Sequence, residues 1–219
     1  MVLHPPEQSF LRQSAIIAIA FTGMLWLLHF LGGFYDFNPA DLGIYPRKME
    51  GLIGILSAPL VHGSAEHLLS NTFPLLVLGT GIIYLYPRAA RITLPIVYLL
   101  PGIGVWLFAR SSRHIGASGF AYGMMFFLLI TGMLRKDRVS VGFSLATLLV
   151  YGGMLLGLLP DDSHISFEYH LFGALVGAGC AFAFHRLDPL VPEKRYSWEE
   201  EIEDEIDPVI GDQWRLPDE

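Results

Sequence analysis

Long apolar runs with few charges, separated by short polar breaks, dominate this chain. About 20 residues at the 1.5 Å rise of an α-helix cross the ~30 Å hydrocarbon core of a bilayer. On that measure the pattern predicts six membrane spans, at 14–34, 66–86, 90–108, 117–134, 139–159 and 167–185. The first run follows a polar stretch that ends at Gln13, and no small-residue cleavage site closes it, so an uncleaved span is expected rather than a signal peptide. Two spans open on polar residues, the second with Glu66, His67 and Asn71 and the fourth with Ser118. The fold class expected is all-α, a bundle of six transmembrane helices.

Lys and Arg in the short loops set the orientation. With the N-terminus inside, the inner segments collect Arg12, Arg88, Arg91, Arg135, Lys136, Arg138, Arg186, Lys194, Arg195 and Arg215, while the outer loops hold Arg47, Lys48, Arg110 and Arg113. Both termini are therefore expected in the cytoplasm. The longest outer loop, about 35–65, contains Leu52-Ile53-Gly54-Ile55-Leu56, apolar enough to lie in the interface.

Composition agrees with the membrane class: 53% of the 219 residues are hydrophobic and 16% charged, against about a quarter charged in soluble domains. The net charge of -7 is not a property of the body. Of the 21 acidic residues, 12 lie after Leu187, which leaves 9 acidic and 11 basic residues in the body. This predicts three parts: a cytoplasmic segment 1–13, a six-helix domain 14–186 and an acidic, solvated cytoplasmic tail 187–219. No nucleic-acid footprint is present. The single cysteine, Cys180, excludes an intramolecular disulfide, and the Cys/His spacings of structural zinc sites are absent.

Candidate chemistry follows from topology. The second, fourth and sixth spans all run from outside to inside, so their leading residues share one membrane depth. Those residues are His62, His67 and Asn71, then Gly116-Ala117-Ser118-Gly119, then Tyr169-His170. Polar side chains below the membrane surface are costly and often functional, and these suit acyl transfer. A serine needs an adjacent base to act as a nucleophile, which a neutral imidazole provides. Ser118 stands at an expected helix start, where unpaired backbone N–H groups and the helix dipole favour negative charge. His67 and Asn71, at i and i+4, can both point donors at an oxyanion there. Gly116 and Gly119 let the backbone approach closely on either side. Gly173 and Gly177 form a small-xxx-small ridge expected to pack the sixth span against the fourth.

At these residues the sequence resembles the rhomboid family of intramembrane serine proteases, over about residues 14–186. His62-Gly-Ser-Ala-Glu-His67-Leu-Leu-Ser-Asn71 is similar to the family's H-x4-H-x3-N pattern, Gly116-Ala117-Ser118-Gly119 to its G-x-S-G, and His170-Leu-Phe-Gly173-Ala-Leu-Val-Gly177 to its H-x2-G-x3-G. The resemblance implies a rhomboid-like bundle and a Ser118–His170 dyad with no acidic third member. It places His67, Asn71 and the Ser118 backbone N–H at the oxyanion, with Gly116 beside them, and stacks Tyr122 on His170. His62 is implied to be structural, holding the first loop. Many family members carry a Trp-Arg pair in the first outer loop, and none occurs here between Tyr35 and Val61. The resemblance further implies gating by the fifth span and by a cap over 160–168 that contains Asp161, Asp162 and His164. No metal or organic cofactor is implied. The partners implied are the lipid bilayer and single-span or multi-span membrane proteins cut near the outer leaflet, in the plasma membrane of a bacterium.

Two other functions compete. A non-catalytic rhomboid-like protein would bind membrane clients, but such proteins usually lack the serine or the histidine, and both are present here. A small transporter with a midplane site would show inverted halves with paired broken helices, and no such symmetry is visible.

Overall fold

The computed structural model describes residues 5–160 and 166–189. Among them the helices are α1 (Pro5–Phe34), α2 (Gly54–Ser57), α3 (Ala65–Leu85), α4 (Pro87–Phe108), α5 (Ser118–Arg135), α6 (Arg138–Tyr151) and α7 (Phe167–Phe184). Among the described residues six stretches are long and apolar enough to span a bilayer: the first from Ser9, the fifth formed by α6 with its continuation to Leu158, and α3, α4, α5 and α7. The protein is an integral multi-pass membrane protein with an all-α bundle. The tail beyond Pro189 and the cap residues Asp161, Asp162 and His164 lie outside the described residues.

Most span ends fall within three residues of the sequence reading, and two differences are larger. Helix α1 starts at Pro5 instead of 14, because exposed Arg12 and Gln13 are compatible with helix and do not stop it at the edge of the apolar run. The fifth span is not one regular helix. It is α-helical to Tyr151 and tightens to a 3-10 helix over Gly152–Leu158, a stretch with three glycines that ends ahead of Pro160.

Local chemistry sets the helix starts. Ser64 Oγ accepts from the His67 N–H at 3.1 Å and caps α3, Asp137 caps α6 through Ser140 N, and Ser166 caps α7 through Tyr169 N. The α4 start is capped from afar: the buried Asp188 carboxylate accepts from Arg88 N and Ala89 N, both at 2.9 Å. Arg135, almost wholly buried at the end of α5, bonds Asp137, Ser140 and the carbonyls of His185, Asp188 and Pro189, and lies over the Tyr86 ring. One guanidinium thus ties together the trailing ends of α5 and α7 and the start of α6. Every bond is charge-assisted and directional, as arginine's fork allows.

Helix α5 is the most buried span. Its Phe120, Met124, Phe127 and Leu128 pack with Leu68, Leu75, Leu78 and Ile82 of α3 and with Val97 of α4. The α5–α7 contact is the most extensive among the described helices. A Cβ at Gly173 would run into Gly119 O, and one at Gly177 into Gly123 O, so the two backbones touch directly. This is the close approach that small-xxx-small spacing permits. Helix α1 packs against α3, where Trp26 Nε1 donates to Thr72 Oγ1 at 3.0 Å. Its other face leaves Ile16, Ile19, Leu27 and Phe30 exposed, as suits lipid contact.

The loop between α1 and α3 is held without the Trp-Arg pair. Arg47 donates to Ala109 O at 2.8 Å, Trp106 of α4 donates to Lys48 O at 3.0 Å, and Ile44 exchanges backbone bonds with His114. The anchoring tryptophan comes from the helix and the arginine from the loop.

Candidate active site

The leading ends of α3, α5 and α7 meet at one cavity of ≈ 1180 Å³, whose walls include His67, Asn71, Ser118, Tyr122 and His170. Residues scattered over a hundred positions of sequence converge because alternate spans run in the same direction, and because the α5–α7 glycines let Ser118 and His170 approach. Each side chain is then held by its own local device.

Ser118 is the first residue of α5, and the turn before it is pinned from two sides. Gly116 N donates to Ala58 O at 2.8 Å, and Ala117 N donates to His62 Nε2 at 3.2 Å. The φ of +106° at Gly116 belongs to glycine, and a Cβ there would come within 2.7 Å of the His67 ring. So Gly116 admits His67 to the serine turn. His62 sits at the end of the first loop and clamps the serine turn as well. Since its Nε2 accepts, its proton is on Nδ1. Burial, then the neighbouring imidazoles of His67 and His29, push its pKa down to about 3, so the ring is neutral at physiological pH.

Asn71 is buried, and its amide nitrogen donates to His67 O at 2.9 Å. An amide NH2 has two N–H groups, which leaves the second to face a ligand. His67 is half-buried, 5.1 Å from the His62 ring centroid to centroid.

His170 is buried and lies flat on Tyr122, with centroids 4.2 Å apart and planes 7° from parallel. Its Nδ1 is 2.8 Å from Gly157 O. A carbonyl only accepts, so Nδ1 carries the proton and Nε2 keeps its lone pair. The Tyr122 hydroxyl in turn donates to Met154 O. Among the described residues no hydrogen bond links Ser118 to His170. Such bonds are often long in a substrate-free enzyme and tighten when substrate binds.

All six site residues expected from sequence are thus brought to this end of the bundle. The sequence reading passed over others. His114 lies buried on the cavity wall, with Nδ1 2.6 Å from Ser166 Oγ and Nε2 3.2 Å from Arg110 O. Burial holds its pKa below the ordinary imidazole range, partly offset by that carbonyl and by Glu168. Glu168, also buried, pairs with Arg110 at 3.4 Å. A histidine two residues before Gly116 was the available signal for the first. Gly157 and Met154 act through backbone carbonyls, which leave no mark in a sequence. Phe73 of α3 and Tyr151 and Met154 of the fifth span complete the wall between these two spans, where Tyr151 OH donates to Phe73 O at 3.2 Å.

The sequence model of the Rhomboid domain matches residues 50–187, which contain all six of these residues. The chain belongs to the rhomboid family. That family is one of intramembrane proteases in which non-catalytic forms also exist. Among relatives, uncharacterized proteins of Mycobacterium tuberculosis and Mycobacterium bovis are 34% identical over 177 residues, covering 75% of this rhomboid and 72% of their own length. An uncharacterized protein of Mycobacterium leprae is 30% identical over 177 residues, covering 76% and 70%. The family match begins within the loop between α1 and α3, so α1 lies before it and belongs to the bundle through its packing on α3.

Proposed function

We propose that this rhomboid is an intramembrane serine endopeptidase that cuts transmembrane segments of single-span or multi-span membrane proteins near the outer leaflet. The observation that carries the reading is His170, held flat on Tyr122 with Nδ1 committed to Gly157 O, which leaves the lone pair on Nε2, on the wall of the cavity that also exposes Ser118.

In this reading a substrate helix enters from the lipid and unwinds locally, since helical carbonyls are bonded internally. Ser118 Oγ attacks the exposed carbonyl while His170 Nε2 takes its proton, giving a tetrahedral oxyanion. The unpaired Ser118 N–H at the α5 start, the spare Asn71 N–H and a His67 ring N–H stabilise that charge. His170 passes the proton to the leaving amine, the C–N bond breaks, and water resolves the acyl-enzyme with His170 again as base. Nothing in this sequence of steps calls for a metal or an organic cofactor. The excess of Lys and Arg in alternate loops supports cytoplasmic termini, and the mycobacterial relatives favour a bacterial plasma membrane.

The test is cleavage of a fluorogenic single-span substrate by the purified full-length protein, beside Ser118→Ala and His170→Ala. Loss of cleavage in both variants with unchanged melting is expected. Cleavage that survives Ser118→Ala overturns the assignment. A second reading, client binding without cleavage, has on its side the missing Ser118–His170 bond. It is favoured if a well-folded wild type cuts none of a panel of substrate spans yet retains them.

A further inference from the structure

The 3-10 stretch Gly152–Leu158 accepts two hydrogen bonds from the site, and both acceptors are backbone carbonyls. Met154 O takes the Tyr122 hydroxyl proton, and Gly157 O takes His170 Nδ1–H. Residues i and i+3 eclipse on a 3-10 helix, so carbonyls 154 and 157 face the same way, toward the stacked Tyr122–His170 pair. An α-helix would set them about 60° apart around its axis. The departure from α geometry at Gly152 therefore has a consequence at the cavity.

Continuing the 3-10 ladder would satisfy Gly157 O with the N–H of residue 160. That residue is Pro160, which has no N–H. The neighbouring bond of the ladder, Leu159 N to Leu156 O, is formed at 3.1 Å. A proline three residues on thus leaves the Gly157 carbonyl free. Gly157 must also lack a side chain: a Cβ there would run into the Tyr122 hydroxyl and sit 3.1 Å from His170 Nδ1. Glu168, close in sequence to His170, bonds Arg110 instead.

We infer that Gly157, with its carbonyl kept free by Pro160, is the positioning residue that sets the tautomer and ring plane of His170, filling the place a carboxylate fills in a Ser-His-Asp triad. A carboxylate at that depth would carry the cost of burying a charge; a carbonyl orients the ring without it. The base is then competent only while 152–158 is seated against α5 and α7. The inference deepens the protease reading and rests on it for its catalytic meaning, while the orientation itself is measurable without turnover.

The experiment records ring 15N spectra of histidine-labelled full-length protein in detergent, with His170 assigned by difference against His170→Gln, and the rate at which a fluorophosphonate labels Ser118. Wild type should show His170 protonated on Nδ1 and bare on Nε2. Gly157→Ala and Pro160→Ala should both lose that pure tautomer and label about tenfold or more slowly. Pro160→Ala places no atom in the site, since Pro160 is exposed, so it should keep its melting temperature even if Gly157→Ala folds poorly. A wild-type ring protonated on Nε2, or wild-type spectra and labelling in either folded variant, overturns the inference. Spectra that respond to both substitutions in a protein that neither labels nor cleaves would uphold the orientation and remove the protease reading.

Discussion

Replacing Gly177 with alanine tests how closely packing governs this site. A Cβ at 177 would overlap Gly123 O and stand 2.8 Å from the Gly123 carbonyl carbon and 2.9 Å from its Cα. All three are backbone atoms of α5, so no side chain can rotate away. Restoring carbon–carbon separations of about 3.5–4.0 Å requires α5 and α7 to part by roughly 1 Å. Overpacking of this kind costs about 1–3 kcal/mol, a fall in Tm of about 2–12 °C at 2–4 °C per kcal/mol for a chain of this size. The displacement reaches the site because Ser118 heads α5 and His170 lies in the first turn of α7. A misplacement of about 1 Å costs on the order of a hundredfold in rate. Gly179→Ala is the control: it lies on the same helix, where a Cβ would meet nothing within 4 Å, and should melt and cleave as wild type. Thermal unfolding and cleavage of a fluorogenic span, measured on the three proteins in one detergent, decide the matter. Wild-type melting in Gly177→Ala would refute the packing argument. Lowered melting with full activity would refute the link from packing to the site.

Two further expectations concern segments outside the spans. His62 is held neutral with its pKa pushed down to about 3, so the unfolded chain binds the proton more readily between pH 6.5 and 3. His62 therefore contributes its full stability above pH 6.5 and loses it as the pH falls toward 3. Melting temperatures from pH 7.5 to 4.5 should decline less steeply in His62→Gln, and parallel slopes would refute this. Asp188→Ala removes the acceptor for Arg88 N and Ala89 N at the α4 start. It should cost about 1–2 kcal/mol by thermal unfolding, with Asp188→Asn intermediate; an unchanged Tm would show the cap to be dispensable.

The spans were legible in sequence because hydrocarbon leaves a chain little choice: about 20 apolar residues must close their own backbone bonds as helix. The convergence of His67, Asn71, Ser118 and His170 was legible for a related reason, since spans that alternate in direction bring alternate leading ends to one depth. The glycine ridge of α7 was readable as a contact, because a missing Cβ is a property of the residue itself. The break in the fifth span, the clamp built on Arg135 and the anchoring of the first loop were not. Arg135 reads as a loop charge until the chain brings His185, Asp188 and Pro189 round it. The sequence by itself determined the class of fold and which side chains stand at the leading ends of α3, α5 and α7. Only the tertiary structure decided which nitrogen of His170 carries the proton. The group that decides it is the backbone carbonyl of Gly157, which every residue type possesses, and whose partner is settled by how the chain packs.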